Sequence, residues 1–380
     1  MICTLGRRRV FCLGAVLAYV AVAAACGGRQ AAAPTAPGAA PANPTLDQAF
    51  QAALNDWAAS PAHHGVSASV ILPTGAQWTG VAGLAGSGPL QPDDLIAIAS
   101  ITKTMTAAVI LQLADEGRLT LDDAVSRWLS PRANVDPAIT VRQLLNHTNG
   151  LDNYTTSAAL GQAIAADPDH VFTPAELLGF LGPPHFPPGE RTEYTNTAFL
   201  LLGQIAEQVT GQSIDSLWRS RLWGPLGLRG IFLPGLEAPP GPVAPARTTS
   251  GVVAPLARLS TLTAGSTAFG LMATARDIAV WGHALFAGTV ISPVMQQEMR
   301  ALVPAAGNIP GETGAGLGIR GYAYLGRMQI GHSGGSSFGS SLLLHDPDAG
   351  VTVVVLMNQS QGADHFVLAP ALLNLALTRR

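Results

Sequence analysis

The residues best suited to chemistry in this chain begin at Ser100-Ile-Thr-Lys103, which opens the apolar run SITKTMTAAVILQLADEG. Residues three apart share one side of a helix, so a hydroxyl and an amine placed this way can meet. A serine hydroxyl attacks a carbonyl only once a neighbour takes its proton, and a desolvated lysine can lose enough basicity to do so. The start of a helix adds partial positive charge where an oxyanion would form. Of the 21 lysines and arginines, 20 are arginine and Lys103 is the only lysine. Arginine stays protonated in proteins whereas lysine can be neutral, so the one lysine marks a place where a neutral amine is required.

Two further segments carry usable groups. Tyr194-Thr-Asn196 precedes the helical run AFLLLGQIAEQVTG and offers a phenol that can relay a proton and an amide that can hold a substrate carbonyl. In RMQIGHSGGSSFG, a strand-like stretch carries His332, then Gly334 and Gly335, which let a substrate backbone approach closely. The remaining histidines that could attract notice, His63, His64, His170 and His185, lie in polar or proline-rich segments without ligand spacing, so surface or turn positions are expected. No metal is implied. No glycine pattern in a strand-to-helix context calls for a nucleotide, so no cofactor is implied either.

These groups must be held by a fold of the α+β class, an α/β sandwich. LDQAFQAALNDWAAS places Leu46, Phe50, Leu54 and Trp57 at helical spacing, and VSASVIL, the turn PTG and QWTGVAG predict an antiparallel hairpin. The middle of the chain is mainly helical, with Thr274 as N-cap of ARDIAVWGHALF. Residues 234–258, rich in Pro, Gly and Ala, predict a long loop. RMQIGHS, SSLLLH and VTVVVLMN return to strand character, and HFVLAPALLNLAL closes as a helix. The expectation is one antiparallel sheet built from both ends (45–105 and 300–380) and flanked by helices, with a mainly helical region (106–299) inserted, together forming a hydrolase domain over 45–380.

The three chemical segments, in this order and at these separations, resemble the penicillin-recognising serine hydrolases: class C β-lactamases, D-alanyl-D-alanine carboxypeptidases and related esterases. ASITK, YTN and HSGG carry the likeness, together with GRLTLDDAVSRWL, HTNGL at 147–151, PPGERTEYTNTAFLLLGQIAEQVTG and WGPLGL. The resemblance implies that Ser100 is acylated by substrate, that Lys103 and Tyr194 share the proton transfers, and that Asn196 binds the substrate amide. It also implies an oxyanion hole made by the backbone N–H groups of Ser100 and Gly335, with His332 standing where many members have lysine. HSG in place of KTG points toward carboxypeptidases, aminopeptidases and esterases rather than efficient β-lactamases. Asn149 replaces the usual serine of a turn read as structural, and Glu176 has no partner that would make it a deacylating base. The implied substrate is a small peptide, ester or lactam.

Two other readings compete. Gly331-His-Ser333-Gly-Gly335 fits the nucleophile elbow of α/β-hydrolases, but an elbow needs a helix directly after its serine and strand-like residues follow instead. A binding module that senses peptidoglycan or penicillin without turnover would not need to keep Ser100, Lys103 and Tyr194 together.

Composition limits the rest. With 48% apolar and 12% charged residues, the chain has the makings of a real core, and a net charge of −3 gives no footprint for nucleic acid. Arg7, Arg8 and Arg9 precede an apolar run from Val10 to Ala25, the pattern of an export signal (1–25) too short for the ~20 residues of a membrane span. VAAAC-GG resembles a lipoprotein cleavage box, so Cys26 is expected to carry a lipid anchor at the outer face of the cell membrane, followed by a tether over 26–44. Cys3 and Cys12 leave with the signal, so no disulfide is expected. On this reading Cys26→Ala moves the protein from the membrane fraction to the soluble fraction, and retention of the variant on membranes would rule the anchor out.

Overall fold

Helix formation at Pro44–Ala58 follows from the spacing of Leu46, Phe50, Leu54 and Trp57, all of which are buried. The computed structural model that shows this describes residues 44–304, 309–360, 362 and 364–379. The expected signal peptide, Cys26 and all of the 26–44 tether except Pro44 lie outside the described residues.

The hairpin read around PTG is present: Gly65–Ile71 pairs antiparallel with Gln77–Ala85, Val70 opposite Trp78. Its first strand also pairs with Val351–Met357, which joins the two ends of the chain. In spatial order the eight strands are Gly88–Pro89, Gln77–Ala85, Gly65–Ile71, Val351–Met357, Gly339–Asp346, Arg327–Ser336, Arg320–Tyr324 and Glu312–Ala315. Every neighbouring pair is antiparallel. The strand Val351–Met357 is apolar without alternation because both of its faces are covered. Val353 and Val355 meet the helices Pro44–Ala58 and His365–Thr378, while Val354 and Leu356 face the opposite core. Each such side chain, fully buried, contributes about 1.5–3 kcal/mol.

That opposite core contains the helix Ala275–Phe286, which begins at the Thr274 cap and lies against the sheet. A helix from the segment read as an inserted region, 106–299, is thus part of the sandwich itself. The central helix Thr102–Asp115 has eleven of its fourteen residues buried, so it is enclosed on all sides rather than amphipathic. It packs against the helix Thr197–Thr210 and ties back to Ala275–Phe286 where Trp281 Nε1 donates to Thr104 Oγ1 at 2.8 Å. The stretch 234–258 departs from a plain loop: Ala246–Thr248 and Gly251–Val253 form a small hairpin, and Leu95 bridges to Val243. Among the described residues no helix is long and apolar enough to cross a membrane.

Candidate active site

Ser100 sits in a single 3₁₀ turn, Ala99–Ile101, that runs directly into the Thr102–Asp115 helix. The residue before it, Ala99, has φ +47°, a left-handed conformation that costs a non-glycine residue energy and persists only where its surroundings enforce it. Ser341 Oγ donates to the Ile98 carbonyl at 2.7 Å and anchors the turn to the sheet. Gly334 is required at the same junction, because a Cβ there would lie 2.5 Å from the Ile98 oxygen and 2.9 Å from Ala99 Cβ. At Gly335 a Cβ would stand in open space, on the wall of a cleft of about 650 Å³ into which Ser100 opens.

Lys103 is completely buried one helical turn on. Its Nζ lies 2.7 Å from Asn196 Oδ1, 2.8 Å from the Ala268 carbonyl oxygen and 3.2 Å from Ser100 Oγ. Burial, with the Arg320 guanidinium adding to it, pushes the amine well below its ordinary 10.5. A neutral amine has two N–H donors and one lone pair. The Asn196 and Ala268 oxygens can only accept, so they take both donors and the lone pair is left facing Ser100. Tyr194 Oη donates to Ser100 Oγ at 2.7 Å, which leaves the serine proton directed at the lysine. Burial raises the Tyr194 phenol, against the opposing effects of Arg320 and of its bond to Ser100, so it stays protonated at neutral pH. The geometry is one in which Lys103 can act as a base toward Ser100 and Tyr194 as a relay.

The Ala268 carbonyl is placed by a pinned segment, Ser266–Phe269. Thr106 Oγ1 donates to the Thr267 oxygen and Thr267 Oγ1 donates to the Phe199 oxygen, each at 2.7 Å. Gly203 lets the segment come close, since a Cβ there would lie 2.7 Å from Thr267 Cγ2.

Asn196 lines the cleft and also touches the base. Its Oδ1 is held by Lys103 and its Nδ2 donates to Asn153 Oδ1 at 3.3 Å and Thr155 Oγ1 at 3.2 Å. In this arrangement it helps to position the base, with Thr155 beside it in the cleft wall.

His332 is buried in the cleft wall and held well below its ordinary 6.5, first by desolvation and then by Arg320. Its Nδ1 lies 2.6 Å from the Ser333 carbonyl, which fixes the proton on Nδ1 and leaves Nε2 an acceptor. Beyond Gly331 the strand Arg327–Ser336 has lost its partner Arg320–Tyr324, so the backbone of 332–336 presents a free edge along the cleft. An extended substrate backbone can lie there.

Several participants were not read from the sequence. His147, part of the supposed structural turn, lines the cleft, has φ +63°, and packs its ring 4.5 Å from that of Tyr194. Arg320 places its guanidinium carbon 4.7 Å from the Tyr194 ring centre, and it pairs with Glu312. Asn153, Thr155 and the Ala268 carbonyl complete the set. The other histidines divide: His185 bridges Asp152 and Glu193 at the rim and His170 pairs with Glu176, but His64 is buried, contrary to the surface position expected. Glu176 also closes the capping box of Pro174–Leu178 with Thr173, away from the site. Ser333 stands within a strand that turns into another strand, which excludes the elbow geometry. Among the described residues no group of three or more His, Cys, Asp or Glu could hold a metal ion.

A sheet sandwich presenting a helix-borne serine to a buried lysine and a tyrosine defines a serine hydrolase. The Beta-lactamase family model matches residues 39–377, and the chain belongs to that family. A D-aminopeptidase of Brucella anthropi is 35% identical over 153 residues, covering 40% of this chain and 28% of the relative, so the chain spans little more than a quarter of that protein. Among solved structures, a D-stereospecific amidohydrolase from Streptomyces sp. superposes with a TM-score of 0.74 at 31% identity, covering 90% of this chain and all of the other. A D-amino acid amidase from Ochrobactrum anthropi SV3 gives 0.80 at 26% identity, covering 88% of this chain and 99% of the other. A penicillin binding protein from Bacillus halodurans, at 22% identity and a TM-score of 0.70, shares the fold.

Lys103→Arg tests the neutral-amine reading within this geometry. A guanidinium cannot take the proton, so acylation of a chromogenic ester should fall by roughly a thousandfold or more while the melting transition stays cooperative. Unchanged hydrolysis would remove Lys103 from the role of base.

Proposed function

We propose that the protein is a serine amidohydrolase of small D-amino-acid derivatives, cleaving amides through an acyl-enzyme on Ser100. The observation that carries this is the buried Lys103 Nζ, 3.2 Å from Ser100 Oγ and within 2.8 Å of the Asn196 and Ala268 oxygens, which in the neutral amine take both N–H donors and leave the lone pair for Ser100. Lys103 accepts the serine proton as Ser100 Oγ bonds to the substrate carbonyl carbon. The backbone N–H groups of Ser100 and Gly335 receive the oxyanion. The proton then passes by way of Tyr194 to the leaving nitrogen, the C–N bond breaks, and water deacylates the serine by the same route in reverse. The choice of D-amino-acid amides is supported by the names of the relatives, a D-stereospecific amidohydrolase and a D-amino acid amidase, both matched over most of this chain.

A carboxypeptidase acting on D-alanyl-D-alanine peptides is the second reading, and Arg320 in the cleft wall is the feature that favours it, since a guanidinium can hold a terminal carboxylate. An exported, Cys26-anchored location would bring either activity to the cell envelope.

The test is turnover of D-phenylalaninamide against its L-enantiomer, with intact mass recorded on a D-phenylalanine ester. Preference for the D-amide by about tenfold or more, with an acyl adduct on the wild type and none on Ser100→Ala, is expected. Equal rates on both enantiomers would refute the D-specific reading, and an adduct on Ser100→Ala would refute the nucleophile.

A further inference from the structure

Among the described residues that line the cleft, three carry a full charge: Glu193, Glu312 and Arg320. Glu193 is engaged at the rim by His185 and Arg191. His147 and His332 are neutral, and the N–H groups of Lys103 are spent. Among the described residues Arg320 is therefore the one cation in the cleft wall that a substrate could use, and Glu312 already holds it.

This pairing is built into the strands. Arg320 is opposite Ala315 and Gly321 is opposite Gly314, but the register then shifts so that Tyr322 is opposite Glu312. Unbroken pairing would have set Thr313 against Tyr322 and Glu312 against Ala323, on the other face of the sheet. The irregularity moves Glu312 by one place onto the face that carries Arg320 and Tyr322. Both side chains are closed off from water, Glu312 2% and Arg320 8% exposed. Removing either partner from such a pair strands a buried charge, so a competing anion gains little from Arg320.

We infer that Glu312 sets the substrate class of this cleft: by occupying the Arg320 guanidinium it excludes substrates that end in a carboxylate next to the scissile bond and admits neutral ones. This rests on the amidohydrolase reading above and decides between it and the carboxypeptidase reading. A carboxylate in the cleft would have to displace Glu312 and then sit beside it, whereas a carboxamide of the same size meets neither penalty.

The experiment compares peptide-bond cleavage of D-alanyl-D-alanine with that of D-alanyl-D-alaninamide, in the wild type and in Glu312→Gln. The wild type should favour the amidated peptide in kcat/KM by about tenfold or more. In Glu312→Gln that ratio should fall by about tenfold or more, mainly through a lower KM for the acid, as Arg320 becomes free to bind it. A wild type that cleaves both equally or prefers the acid overturns the inference, and this holds whether or not the variant folds. So does a folded Glu312→Gln with the wild-type ratio, while D-amide turnover intact in that variant would leave the amidohydrolase reading standing. Cleavage of neither peptide nor of D-phenylalaninamide by the wild type overturns both readings together.

Discussion

The buried Lys103 amine has three oxygen neighbours, and only the Ser100 hydroxyl among them has a proton to give up. That asymmetry is what the surrounding structure maintains. A charged lysine could satisfy all three oxygens at once, so the arrangement becomes catalytic only because burial and the Arg320 charge favour the neutral form. The cost falls on the fold. An unfolded chain keeps its lysine protonated up to about 10.4, so depressing the amine in the folded state opposes folding below that pH, and stability gains as pH rises between the depressed value and the ordinary one.

Three parts of the fold share the work of maintaining this site. The central helix, enclosed on every side, carries Lys103, and the 3₁₀ turn that runs into it carries Ser100. Thr197–Thr210 brings Asn196 at its start and, through Gly203, admits the Thr267 turn whose Ala268 carbonyl accepts a hydrogen bond from the lysine. The sheet supplies the strand 327–336, held against the nucleophile turn by Ser341 and by the absence of a side chain at Gly334. Strain at Ala99 is enforced from two sides, which fits a residue next to a reactive serine. Arg320 connects chemistry to selectivity: the same guanidinium that lowers Lys103 and flanks Tyr194 is the cation that Glu312 withholds from substrates.

Periodicity made much of this architecture legible. The helix at Leu46 to Trp57, the Thr274 cap, the hairpin around PTG and the three late strands all follow from spacing, because each buries a regular face. Ser100 and Lys103 were legible for a different reason, since the chain's only lysine stands three residues after a serine at the start of a helical run, whereas the roles read for Tyr194 and Asn196 came from the family likeness. The pieces that escaped have no such signature. A carbonyl at Ala268 is invisible in composition, and Asn153 and Thr155 look like ordinary turn residues. His147 was hidden in a turn whose left-handed backbone a histidine seldom adopts. Arg320 did leave a trace, a lone arginine within the apolar run GLGIRGYAY, but its partner Glu312 reaches it only through a register shift that no sequence pattern announces.

Because Lys103 is the only lysine, labelling the protein with ¹³C-lysine gives a single side-chain Cε resonance that can be followed with pH. The neutral-base account requires that signal to titrate well below the ordinary 10.5, and to move back toward it when Arg320 is replaced by glutamine. A resonance that stays in the ammonium position up to pH 10 in the folded protein would contradict the account, and the proton of Ser100 would then need another acceptor.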